Sequence, residues 1–314
     1  MKVIVLEQAG GVENLTLTDI PKPEIQKDEV LIKMKAISIN PVDIKTRIGK
    51  SLYDELKRIN TPIILGWDVS GIVTEVGSAV TQFKKEDEVF GMINFPGHGR
   101  AYAEYVAAPA SHLAIKPSAI SHEAAAAATL AALTAWQALV THAKVQKGQK
   151  ILIHAAAGGV GHYAVQIAKH LGAYVIGTSS AANKDFVLSR GADEQIDYKT
   201  QQLGDTVRDM DFVLDSIGDS TIDSSVAVTK KGGTVIFLPS GISEEKLEKL
   251  RKRGVNCYRI LVESNGEDMK QIAGLLETGI IRSHISQVFP FEKMADAHLQ
   301  IETGRTIGKI VLTK

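Results

Sequence analysis

The sequence predicts an α/β chain in two parts, a β-rich part and a doubly wound parallel sheet, and three observations carry that prediction. The apolar run Ile151-Leu152-Ile153 passes into Ala155-Ala156-Ala157-Gly158-Gly159-Val160-Gly161, a glycine cluster that opens a helix. Beyond it, unbroken apolar runs alternate with helical segments, the mark of a parallel sheet covered on both faces. Before it, short alternating segments are punctuated by Gly and Pro, which argues for compact β structure.

Taken in order, strands are expected at 29–36, 71–77, 87–91 and 103–107, all in the β-rich part. The alanine-rich run 124–140 is broken by Thr129, Thr134 and Gln137, so it reads as a packed helix and not a membrane span. The helix 163–171 then places Ala164, Ile167, Ala168 and Leu171 on one face, with a second strand at 172–177. Further parallel strands are expected within 211–218, which ends in a turn, and at 233–238 and 255–262, the last outermost. Amphipathic helices at 267–278 and 292–303 precede a closing strand at 308–312. That strand has no slot left in the parallel sheet and is expected to return to the β-rich part.

Composition narrows the function. Lys+Arg and Asp+Glu number 36 each over 314 residues, so no basic excess favours nucleic acid as a partner. The single cysteine, Cys257, excludes an internal disulfide and a four-thiolate zinc site, and reads as a small buried residue on a strand. Met1-Lys2-Val3-Ile4-Val5-Leu6 reads as a strand start and not a secretory leader, so the cytoplasm is the expected location.

The glycine cluster reads as a phosphate cradle. Gly158, Gly159 and Gly161 lack the side chains that would keep a pyrophosphate from the backbone, and with Ala157 and Val160 they bring N–H groups and the positive end of a helix to it. A site built for NAD carries an acid at the end of the next strand to accept from the ribose 2′-hydroxyl. This chain has Thr178-Ser179-Ser180-Ala181-Ala182-Asn183-Lys184 there. Ser179, Ser180 and Lys184 supply donors and charge for a 2′-phosphate instead, so NADPH is the expected cofactor, with a solvated helix-start lysine the alternative for Lys184. His154 and His162 flank the glycine loop and read as packing or solvent-facing residues.

The chain resembles the medium-chain dehydrogenase/reductases, and within them the zinc-independent quinone oxidoreductase-like branch that includes zeta-crystallin. The resemblance spans essentially the whole chain. It is carried by Asn40-Pro41-Val42-Asp43 with Arg47 and Gly49, by the run from Pro62 through Gly66-Trp67-Asp68 to Val73, by Tyr102-Ala103-Glu104-Tyr105, by Leu133-Thr134-Ala135, by the glycine cluster with Gln166-Ile167-Ala168-Lys169, and by Gly308-Lys309-Ile310-Val311-Leu312. It implies a GroES-like β-rich domain from both ends of the chain, 1–121 and 264–314, and a Rossmann domain, 122–263, with the active site in the cleft. It further implies hydride transfer from NADPH to a quinone or an α,β-unsaturated carbonyl. Enoyl-thioester reduction and a non-catalytic NADPH-binding role are the alternatives.

Asn40 and Thr134 are the residues the resemblance places near the nicotinamide. Tyr198 joins the phosphate group, and Ser216 and Ile217 join the cofactor contacts. Tyr53 is a catalytic hydroxyl donor or a surface tyrosine on an amphipathic helix. Zinc-dependent relatives carry a cysteine where this chain has Asn40, and a histidine followed by an acid where it has Trp67-Asp68, so no metal is expected. Asp68 is then a stranded ligand or a maker of local hydrogen bonds. Substrate choice is expected to lie with the loops 94–100 and 50–60, and a homodimer through paired 256–261 edges is the expected assembly.

Overall fold

The structure, a computed structural model, describes residues 1–58, 62–239 and 241–314, so the last two positions of the expected wall segment 50–60 lie outside the described residues. The chain divides into two compact units, Met1–Leu133 with Val262–Lys314, and Thr134–Leu261.

The first unit is built around the eleven-residue strand Glu29–Ile39. Its apolar residues are almost all buried because both faces are covered, and it pairs antiparallel with Asp68–Val76 along most of its length. Its other edge is shared. Tyr105–Pro109 pairs with residues 29–33, and Lys309–Thr313 pairs with residues 36–39, so the closing strand does return to the β-rich unit. The register of that return sets Ile310 opposite Ile39 and places Lys309 beside Asn40. A smaller sheet holds Leu15–Asp19, Lys2–Leu6 and Ile63–Ile64. Gly66, at φ +91°, leads from that small sheet toward Trp67 and Asp68, and a Cβ there would lie 2.3 Å from the Tyr102 ring. Only glycine admits both that conformation and that approach.

The alanine-rich run is three pieces, not the single helix expected: a helix His122–Ala127, a helix Leu130–Trp136 and a π-helical segment Gln137–His142. The break has a physical cause. The Asp68 carboxylate accepts the Leu130 N–H at 2.9 Å, and the Thr129 hydroxyl donates to the Ala126 carbonyl at 2.7 Å, so both groups leave the helical ladder. Ala126 and Ala127 pack against Ala36 and Val311 of the β-rich unit. That packing draws residues 122–133 into the first unit, where the sequence had placed them in the second.

In the second unit the strands lie in the order Glu194–Asp197, Tyr174–Ser179, Lys150–Ile153, Met210–Asp215, Thr229–Phe237, Asn256–Arg259, and every pair is parallel. The order reverses at Lys150–Ile153, so the turn that follows this strand stands at the topological switch point where such sheets bind ligands. Leu152, Ile176, Val213, Val235 and Phe237 form the buried centre with Val226 and Leu247. Cys257 is buried on the edge strand as expected, and burial pushes its thiol up to about 11.

Candidate active site

After the strand Lys150–Ile153 the chain turns through Ala155 at φ 48°, and Gly158 then caps the helix Gly159–His170 without a side chain. The N–H groups of Gly159, Val160 and Gly161 are first-turn donors with no intrahelical partner, and they sit at the positive end of the helix. A Cβ on Gly161 would lie 2.1 Å from the Ala155 carbonyl oxygen, so only glycine lets the helix approach the strand this closely. The Gly158 N–H closes the turn onto the Ala155 carbonyl at 2.8 Å, so the cradle at the switch point is Ala157 and Gly158 leading into the free N–H groups of Gly159 and Val160, and a pyrophosphate fits it.

Ser179, Ser180, Lys184, Tyr198, Ser216 and Ile217 end or follow the strands of this sheet at the same end, whereas Asn40 belongs to the first unit and Thr134 to the helix Leu130–Trp136. The Tyr198 N–H donates to the Ser179 carbonyl at 3.2 Å, which joins the ends of two neighbouring strands. Tyr198 is 62% exposed and Lys184, at the start of its helix, is exposed too. Ser179 itself is buried, and its hydroxyl donates to the Ser180 carbonyl while accepting from Gln195 Nε2 at 3.0 Å. Ser180 is the half-exposed member of the pair. Ser216 donates to the His154 carbonyl at 3.2 Å, and the Ile217 N–H donates to Asp215 at 3.0 Å, leaving the Ile217 side chain 47% exposed.

Beneath the cradle runs a polar chain that the sequence did not reveal. Asp215, fully buried, accepts from the N–H groups of Ile217 and Gly218, from the Thr221 hydroxyl, and from Ser225 Oγ at 2.7 Å. With the Ser225 proton directed to Asp215, Ser225 Oγ accepts from His154 Nε2 at 3.1 Å. His154 Nδ1 then accepts from the Thr178 hydroxyl at 3.1 Å, and that hydroxyl accepts the Ala155 N–H. Burial lowers the His154 pKa against the pull of Asp215, so the ring is neutral and acts as a spacer. Four residues from two strand ends, a turn and a helix thus fix the backbone of the cradle. His162, also buried, donates from Nδ1 to the Gly158 carbonyl at 2.9 Å.

The first unit holds a second constellation, centred on Asn40. Asn40 precedes the helix Pro41–Arg47, its N–H donates to Asp43 Oδ2 at 2.7 Å, and its side chain is almost wholly buried. Asn40 Nδ2 donates to Asp68 Oδ2 at 2.8 Å, and Asn40 Oδ1 accepts from the Lys309 ammonium. Asp68 also accepts from the Ser38 hydroxyl at 2.5 Å and from the Leu130 N–H, and it is fully buried. It makes local hydrogen bonds and is not a stranded ligand. Trp67 is buried and donates from Nε1 to the Gly97 carbonyl at 2.7 Å. The places where zinc-dependent relatives carry ligands thus hold an amide and an indole, with the neighbouring carboxylate already committed to three donors; these residues do not fit a catalytic zinc.

Next to this group lie Asp43, Tyr102, His298, Arg47 and Glu302. Tyr102 Oη and His298 Nε2 are 2.9 Å apart, and Arg47 Nη2 donates to Glu302 at 2.6 Å. Burial, with Arg47 adding to it, holds His298 down to about 3, so it is neutral. Burial pushes the Tyr102 phenol up, and Asp43 adds to that push. Sequence reasoning singled out none of Lys309, His298 and Tyr102 as site residues, because their partners lie as far as 270 residues away along the chain. Tyr53 stands apart: its hydroxyl accepts the Ala9 N–H at 3.2 Å and shares no hydrogen bond with the Asn40 group among the described residues.

A β-rich unit with a buried acid–base cluster and a parallel sheet with a glycine cradle define a two-domain dinucleotide-dependent oxidoreductase fold. Residues 26–118 match the alcohol dehydrogenase GroES-like domain and residues 190–312 the zinc-binding dehydrogenase family. The NADPH-dependent alkenal/one oxidoreductase of Arabidopsis thaliana chloroplasts is 36% identical over 99% of this chain and 79% of its own length. The quinone oxidoreductase structure from Coxiella burnetii superposes with a TM-score of 0.94 at 36% identity, covering 100% of this chain and 99% of its own. That of Escherichia coli quinone oxidoreductase complexed with NADPH gives 0.88 at 28% identity, with both chains covered in full. The chain belongs to the medium-chain dehydrogenase/reductases, in their quinone oxidoreductase-like branch.

Asp43 offers a test of the buried cluster. Burial pushes its carboxyl from 3.8 up to about 7, opposed by the Asn40 N–H, reinforced by Asp68, and opposed again by Lys309 and Tyr102. The folded chain therefore keeps a proton that the unfolded chain releases. The stability this group contributes is full below the unfolded value and is lost as pH rises through about 7. Asp43→Asn keeps an acceptor for the Asn40 N–H and carries no charge. Melting temperatures measured between pH 5 and 8 should shift in favour of the variant as pH rises; a difference that stays constant or moves the other way contradicts the assignment.

Proposed function

We propose that the chain is an NADPH-dependent reductase of quinones or α,β-unsaturated carbonyls that works without zinc. The observation that carries this reading is the cradle at the switch point, followed by a strand end with no carboxylate at 178–180. Bound NADPH would supply hydride to an electron-poor carbon. The chain's part is to hold the dinucleotide, orient the acceptor and stabilise the charge that moves onto a carbonyl oxygen. Gly159 and Val160 face the pyrophosphate with N–H groups, and Gly158, its own N–H turned to the Ala155 carbonyl, lets the phosphates approach by lacking a side chain; Ser180, Lys184 and Tyr198 form the 2′-phosphate end, with Ser179 and Gln195 beneath them. Asn40 and Thr134 face the nicotinamide in this reading. The absence of zinc is supported by Asn40 and Trp67, neither of which offers the thiolate or imidazole that a catalytic zinc takes. A cytoplasmic location fits a chain whose one cysteine is buried and free; none of its described helices is long and apolar enough to cross a membrane.

The reading is tested by turnover and titration together. NADPH should be consumed when small quinones and enones are offered, and crotonyl thioesters should be poor acceptors. Fluorescence titration should show NADPH binding several-fold more tightly than NADH, with Lys184→Ala erasing most of that preference. Equal affinity for the two cofactors would remove the phosphate assignment. Thioester turnover above enone turnover would favour an enoyl reductase, and binding without turnover of any acceptor would favour a non-catalytic role.

For assembly, we propose a two-fold dimer through the edge strand Asn256–Arg259. An edge offering unpaired backbone groups invites another strand, and two-fold pairing of the same edge closes the assembly. Tyr258 is half-buried and Leu261 is 55% exposed beside it, while Arg251 Nε already donates to the Cys257 carbonyl and covers one edge group. Light scattering should give twice the single-chain mass; a value near 33.9 kDa at micromolar concentration would count against the dimer.

A further inference from the structure

Asn40 carries an amide whose two ends are nearly the same size, so packing alone does not select its orientation. In this chain charge selects it. Lys309, from the closing strand, donates from Nζ to the Ile39 carbonyl at 3.0 Å and to Asn40 Oδ1. Asp68, from the strand Asp68–Val76, accepts from Asn40 Nδ2 at 2.8 Å. The ammonium and the carboxylate lie 3.8 Å apart, with side chains 3% and 0% exposed. Turning the amide over would set its N–H groups against the ammonium and its oxygen against the carboxylate. Both hydrogen bonds would be lost to like-on-like contacts, and water is shut out of the place where they would occur.

Neither charged residue can be explained as ordinary core. A buried ammonium and a buried carboxylate gain little stability over well-packed apolar residues of the same size, so their presence points to specificity of arrangement. The arrangement also comes from distant parts of the chain. Ser38, near the end of the strand Glu29–Ile39, and Asn40, just past it, both donate to Asp68. Lys309 reaches the same amide only because the last strand returns alongside that one.

We propose that Asp68 and Lys309 are positioning residues that lock the Asn40 amide in one orientation, oxygen on the ammonium and nitrogen on the carboxylate. One Nδ2–H is held by Asp68, and the second is the donor presented to a carbonyl. The proposal rests on the reading of Asn40 as a residue that meets the nicotinamide or the acceptor. Asp68 and Lys309 act through Asn40 and touch neither.

The test replaces the two charges together, so that no lone charge stays buried. Lys309→Met/Asp68→Asn should lower kcat for an enone about ten-fold while the NADPH dissociation constant from fluorescence titration is unchanged. In an Asn40→Ala background the same pair should cost nothing further, because coupled residues are non-additive. A loss that adds in full to that of Asn40→Ala, or a folded double variant with parental kcat, overturns the proposal. A readout on the unaltered chain stands independently of folding of the variants: the side-chain amide protons of Asn40, followed by 15N NMR, should exchange far more slowly than those of exposed Asn256. Equal exchange rates overturn the lock. Asn40→Ala with parental turnover would count against the assignment of Asn40 itself, and the exchange rates then decide the lock alone.

Discussion

A carboxylate removed from water must be met by donors, and much of the first unit is arranged around meeting Asp68. Ser38 from a strand and Asn40 from the turn just past its end both reach it, and the alanine-rich segment gives up a helical hydrogen bond so that the Leu130 N–H can point at it. Lys309 completes the set from the far end of the chain. The helix break at Ala128 and the orientation of Asn40 are two consequences of one buried charge, and the returning closing strand brings its counter-ion. Its removal alone would leave Lys309 without its counter-ion in a dry interior, which is why the two charges belong together.

The second unit solves a different problem by similar means. A cradle for a phosphate must expose backbone N–H groups, and exposed backbone is hard to hold in one conformation. Here the close approach of Gly161 to Ala155 sets the turn from one side. The chain from Asp215 through Ser225 and His154 to Thr178 sets it from beneath, and its last member takes the Ala155 N–H. Resemblance of these residue types to a hydrolytic triad is superficial. Ser225 directs its proton to the carboxylate, so it is not activated by the imidazole as a nucleophile would be.

How much of this was legible in the sequence depended on how local the signal was. The parallel strands, the glycine turn and the buried Cys257 are patterns within a few residues, and the structure carries them. So is the closing strand, whose destination followed from elimination. The alanine run was read as one helix because helix propensity says nothing of a carboxylate arriving from 62 residues away. Ser179 was grouped with Ser180 as a phosphate donor by proximity along the chain. The side chain that occupies its hydroxyl, Gln195, belongs to the neighbouring strand, and strand pairing brings it there. The motif Gly308-Lys309-Ile310-Val311-Leu312 served to identify the family while the role of Lys309 stayed hidden, since a lysine at the start of a strand usually reads as solvated.

The central claim is that a buried acid and base now hold an amide where zinc-dependent relatives hold a metal, and that reduction proceeds on that footing. Zinc content and turnover on one preparation test it most directly. Elemental analysis of purified protein should find zinc far below one atom per chain, and NADPH-dependent reduction of an enone should be unchanged after exhaustive chelation. One zinc per chain, with activity lost on its removal and regained on its return, would contradict the account.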